Sequence, residues 1–180
     1  MLLLLTSCGN SNNAIVVFPH DIMLGMSADK VHSILGEPDG VWHSTPNISG
    51  ETFYVTSYDR PDHFDPDKVI KNEGRDEIHI TFKSTGRTKK VVAMQYYIPV
   101  DENLDPHSSD MDQINSVVET YANYLTRYYG DYNYQVYYGY DINYEWELTV
   151  NGKKTYISLY GPVPYTEDFF IMYEIFTSVK

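Results

Sequence analysis

The sequence predicts an α+β fold: an antiparallel β-sheet with helices packed on one face, arranged as tandem α-β-β-β-β halves. Three observations carry this expectation. Short segments with strict two-residue alternation recur between turn residues. Two other segments place apolar residues at three- and four-residue spacing, the signature of an amphipathic helix. Each of those two precedes a run of four strand-like segments.

Residues 1–7 look like the end of a bacterial lipoprotein signal. Leu5-Thr6-Ser7 puts an apolar residue and two small ones before Cys8, with Gly9 following. Small residues let such a chain enter a signal peptidase, and the thiol then receives the lipid. The basic n-region and the apolar run of about 7–15 residues are incomplete, so this is read as a partial signal. Cys8 is the only cysteine, which excludes an intramolecular disulfide. Residues 8–20 read as a lipid-anchored tether, with Asn and Ser in its polar part. At its end Ile15-Val16-Val17-Phe18 either adds an edge strand or packs over the core.

The first half, 21–100, opens with a helix marked at both ends. Ser27 is suited to accept from the free amides of the first turn, and Val31, Ile34 and Leu35 share one face. Gly36 supplies a residue at ease with positive φ, and Pro38 prevents continuation. The pattern Gly25-Met26-Ser27-x3-Val31-x2-Ile34-Leu35-Gly36-x-Pro38 resembles the opening motif of the SmpA/OmlA (BamE-like) envelope lipoproteins. It is also similar to the motif that begins each half of the β-lactamase inhibitory protein family. The resemblance covers about fifteen residues and implies a fold: helices on one face of an antiparallel sheet, in two halves. Strands are then expected over 41–45, 51–58, 76–83 and 90–98. In the third of these Ile78, Ile80 and Phe82 share a face; in the fourth Val92, Met94, Tyr96 and Ile98 do.

The second half, 101–180, has Ser108, Ser109 and Asp110 as capping candidates. Ile114, Val117, Val118, Tyr121, Leu125 and Tyr128 then fall at helical spacing, up to Gly130. Strands follow over 133–140, 144–150, 155–160 and 169–177, with Asn151-Gly152 as a type I′ hairpin turn between the middle two. Tyr144, Trp146, Leu148 and Val150 face one way; Glu145, Glu147 and Thr149 face the other. Ten of the 18 tyrosines lie between Tyr121 and Tyr144, which predicts a tyrosine-rich core with Tyr132, Tyr134, Tyr138 and Tyr140 on one face.

Composition narrows the function classes. A formal net charge of -12 repels phosphate backbones and anionic headgroups, so no nucleic-acid partner is expected and any membrane attachment runs through the lipid on Cys8. Asp59, Asp62, His63, Asp65 and Asp67 crowd one loop, but Pro61 and Pro66 interrupt it and no turn glycine completes a calcium loop; solvated acidic surface is the better reading. The six histidines match no zinc spacing, and His32 and His79 read as surface residues. Neither a Gly-x-Ser-x-Gly elbow nor a glycine-rich phosphate loop is present, so no catalytic residue, metal or cofactor is expected.

The face opposite the helices is the expected site. If Ile157, Leu159, Ile171 and Tyr173 fill the core, then Tyr156, Tyr160, Phe170, Met172 and Phe176 point the other way, with Glu145, Glu147 and Glu174 nearby. Aromatic area on an open sheet face marks an interaction surface. The expected role is non-catalytic: binding a cell-envelope protein as assembly factor or inhibitor, from a lipid-anchored extracytoplasmic position. The alternative is a glycan-binding surface lipoprotein, in which the same aromatics stack on sugar rings.

Overall fold

Ser27 takes up the N-cap position of the first helix, α1 (Ala28–Leu35), its hydroxyl accepting from the Lys30 amide at 3.3 Å. Gly36 closes the helix at φ 82°. The computed structural model describes residues 18–43, 52–59, 77–85, 87–99, 111–138, 141–165 and 168–177. Cys8, the tether to residue 17, the acidic loop beyond Asp59 and the cap at 108–110 lie outside them.

After α1 come β1 (Gly40–His43), β2 (Phe53–Asp59), β3 (Glu77–Thr85) and β4 (Thr88–Pro99). The second helix, α2 (Met111–Tyr129), leads into β5 (Tyr134–Tyr138), β6 (Asp141–Val150), β7 (Lys153–Tyr165) and β8 (Asp168–Thr177). Among the described residues these strands form one antiparallel sheet in the order β1-β2-β3-β4-β8-β7-β6-β5. Two four-strand meanders therefore meet along β4 and β8, where Tyr96 pairs with Tyr173. Asn151 and Gly152 both hold positive φ in the β6–β7 hairpin, as a type I′ turn requires.

Both helices pack on one face. Val31 and Leu35 of α1, and Val118, Tyr121, Leu125 and Tyr129 of α2, join Ile80, Met94, Tyr96, Trp146, Ile157, Leu159 and Tyr173 in one core. Burying these side chains supplies the main drive to fold. The Tyr129 and Tyr173 hydroxyls meet at 2.7 Å inside this core, so each phenol has a partner away from water.

Three sequence expectations are corrected. Val91, not Val92, is the core residue at the start of β4. The register of β3 and β4 jumps there, Phe82 pairing with Val91 but Thr81 with Ala93, and this bulge flips the alternation. Tyr128 is 52% exposed, while Tyr129 continues the stripe set by Tyr121, Ala122 and Leu125. Strand β7 extends past Tyr160 through two prolines. Its pairing with β6 ends at Gly161, so the missing N–H groups of Pro162 and Pro164 face no β6 partner.

Candidate functional site on the outer sheet face

Alternation fixes which side chains leave the core, and the register then arranges them in rows across the strands. One row is polar and runs Ser57, His79, Gln95, Glu174, Ser158, Glu145. On one side of it lie Glu77, Tyr97, Met172, Tyr160 and Asn143. On the other lie Trp42, Val55, Thr81, Ala93, Phe176, Tyr156 and Glu147. A polar band thus crosses six strands between two rows that carry the aromatic side chains.

The rows differ in depth. Tyr97 and Met172 are covered, with the Tyr160 hydroxyl 3.5 Å from the Met172 sulfur, so Met172 is 7% exposed and does not present its thioether to solvent as alternation alone suggests. Tyr156 and Phe176 stack at 5.2 Å between centroids and stay partly open. Phe170 holds the position opposite Pro99 and Val163; its side chain lies outside the described residues. Glu145, Glu147 and Glu174 all fall on this face, Glu147 the most exposed.

Hydrogen bonds hold the carboxylates in place. Gln95 Nε2 donates to Glu174 at 2.9 Å, and Asn143 Nδ2 donates to Glu145 at 2.9 Å. Lys154 Nζ reaches Glu147 at 2.7 Å, which raises the lysine pKa. The Asn133 side-chain oxygen accepts from the Glu147 amide at 2.6 Å, tying the chain before β5 to β6. Burial pushes the Tyr160 phenol up, with the charges of Glu174 and Tyr97 adding to the shift. A shallow depression of about 250 Å³ opens between Glu145, Glu147, Tyr156, Ser158 and Phe176.

His79 departs from its surface assignment: it is 8% exposed, on the outer face but enclosed by Trp42 and Tyr97, with ring centroids at 5.6 and 4.8 Å. Its Nε2 lies 2.6 Å from Glu77. His32 is likewise half-buried, its ring against Tyr58 and Phe82. Sequence reasoning did not single out Gln95, Tyr97, Trp42 or Asn133. The first two were within reach, because they hold the opposite parity to Met94, Tyr96 and Ile98 in β4.

Burial is also the largest influence on Glu174, raising its pKa, while the Gln95 amide pulls it down. In the unfolded chain the carboxyl has its ordinary affinity for a proton; folding strengthens it. Protonated Glu174 therefore favours the fold, and that contribution is lost as pH rises from the unfolded value through the folded one. Replacing Glu174 by Gln removes the dependence and keeps an acceptor for Gln95. In thermal melts, the melting temperature of Glu174→Gln relative to wild type should rise between about pH 4 and pH 7. A constant difference across that range would show that the carboxylate stays fully hydrated.

Among the described residues no group of three His, Cys, Asp or Glu side chains is placed to hold a metal ion, and no helix is long and apolar enough to cross a membrane. The outer face can offer flat aromatic area, fixed carboxylates and amide hydrogen bonds; this is chemistry of recognition. No family model, no curated protein and no solved structure matches the chain.

Proposed function

We propose that this chain is a non-catalytic binding protein of the bacterial cell envelope, held outside the cytoplasm by a lipid on Cys8, whose outer sheet face grips another envelope protein as an assembly factor or inhibitor. The observation that carries the reading is the pair of aromatic-bearing rows flanking a hydrogen-bonded polar band on the face turned away from both helices. Aromatic side chains give large contact area at low entropy cost, and prefixed polar groups set orientation. The two halves are read as tandem α-β-β-β-β units. Supporting this are the strand order, with the two meanders meeting at β4 and β8, and the positive-φ glycines Gly36 and Gly130 directly after the two helices. The resemblance of the Gly25–Pro38 motif to BamE-like and β-lactamase-inhibitory-protein families points in the same direction.

One experiment tests both attachment and binding. The full chain, expressed with a complete signal in a bacterial host, is crosslinked in native membranes and recovered. Wild type should partition with membranes and capture a protein, whereas Cys8→Ala should appear in the soluble fraction. Tyr156→Ala and Tyr160→Ala should lose capture by about tenfold or more, as for central aromatic contacts; Tyr156→Ala should melt close to wild type, whereas Tyr160→Ala, which uncovers Met172, should melt lower. Undiminished capture by both variants, or recovery of polysaccharide in place of protein, would overturn the reading.

A further inference from the structure

The depression over β6, β7 and β8 is built around a small residue. Ser158 stands between Glu145 on one neighbouring strand and Glu174 on the other. The row beside it holds Glu147, Tyr156 and Phe176 in line. The short serine side chain leaves the gap, the stacked rings of Tyr156 and Phe176 wall it, and carboxylates stand around it. Glu145 and Glu147 are two residues apart on β6 and so roughly 7 Å apart along the strand. The chain's own Lys154 already reaches the rim of this gap. Its ammonium pairs with Glu147 and lies 5.7 Å from the Tyr156 ring centroid. Glu145 is hydrogen-bonded instead by the neutral Asn143 amide and lines the depression.

The geometry points to a binding notch for a guanidinium group: the depression receives an arginine side chain of the partner, stacked on Tyr156 and hydrogen-bonded to Glu145, with Lys154 as its internal competitor. An ammonium is a compact point charge, whereas a planar guanidinium stacks on a ring and directs paired N–H groups sideways at the same time. The net charge of -12 favours the approach of a basic partner as a whole. This inference rests on the proposed binding face and specifies its chemistry.

The test titrates the isotope-labelled full chain with N-acetyl-L-arginine amide, following backbone amide shifts of residues 145–147 and 156–158. The control is N-acetyl-L-citrulline amide, which has the same shape without the charge. Saturable shifts with the arginine probe, weaker by about tenfold or more for citrulline, are expected of a charge-assisted contact. Lys154→Ala should tighten arginine binding several-fold, and Glu145→Gln should weaken it; both changes lie at the surface and leave the core untouched. Equal response to the two probes, absence of saturation, or stronger saturable shifts with N-acetylglucosamine would overturn the notch. Should arginine fail to bind while Tyr156→Ala still abolishes partner capture, the cation site is wrong and the binding face stands. Should arginine bind while capture survives Tyr156→Ala, the depression holds a guanidinium but the partner's arginine is not its occupant, and the proposed partner face is wrong.

Discussion

Trp146→Ala should destabilise the protein by about 3–5 kcal/mol in urea unfolding, the largest effect expected of a single substitution here. The indole is 1% exposed and sits where the end of α2 meets the sheet. It meets Tyr129 edge-on at 6.0 Å and stacks with Tyr144 at 6.4 Å, while Nε1 donates to the Gly130 carbonyl at 3.0 Å. Truncation opens a cavity beside these two rings and leaves the helix-ending carbonyl without its donor. Trp146→Phe separates the two contributions: it keeps most of the apolar body and removes the N–H, for an expected loss of about 1–3 kcal/mol. If the alanine variant lost less than about 1 kcal/mol, the core assignment of β6 would be wrong.

Leu125→Ala should cost about 2–5 kcal/mol, the range for a fully buried leucine whose site collapses only in part. Leu125 has no exposed surface and belongs to the core stripe of α2 with Val118, Tyr121 and Tyr129. The matching control is Tyr128→Ala, three residues on but pointing to solvent, where Tyr124 is its ring neighbour at 5.1 Å. That change should cost under about 1 kcal/mol. Equal losses at the two positions would mean that the helix is rotated about its axis relative to the arrangement described above.

Much of the fold was legible because local periodicity carries it. Strict alternation in β6 places Trp146 inward and Glu145 and Glu147 outward without any knowledge of neighbours. Helix ends were legible too, since Ser27 caps through its side-chain hydroxyl and Gly36 through its positive φ. What failed to show was everything set by a second strand. The bulge that exchanges Val91 for Val92 depends on how β3 and β4 are joined, not on either strand's pattern. The continuation of β7 through Pro162 and Pro164 depends on where β6 ends. The candidate site was half visible. Tyr156, Phe176 and the three glutamates could be placed on a face, but their meeting around Ser158 follows from register across β6, β7 and β8. The enclosure of His79 requires Trp42 and Tyr97, which come from strands on either side of β3.

The seam between β4 and β8 governs the order in which the molecule can be assembled. Gln95 and Glu174, hydrogen-bonded across it, are 79 residues apart. The β1–β4 meander can form from pairings between consecutive strands, yet β4 keeps an unpaired edge of backbone donors and acceptors until β8 docks against it. Contacts of such long span slow folding, because loop closure must precede the pairing that rewards it. Among the described strands the last in sequence, β8, thus lies at the centre of the sheet. Until that docking, the β4 edge that carries Tyr96 and Tyr97 is open to pairing with another extended chain.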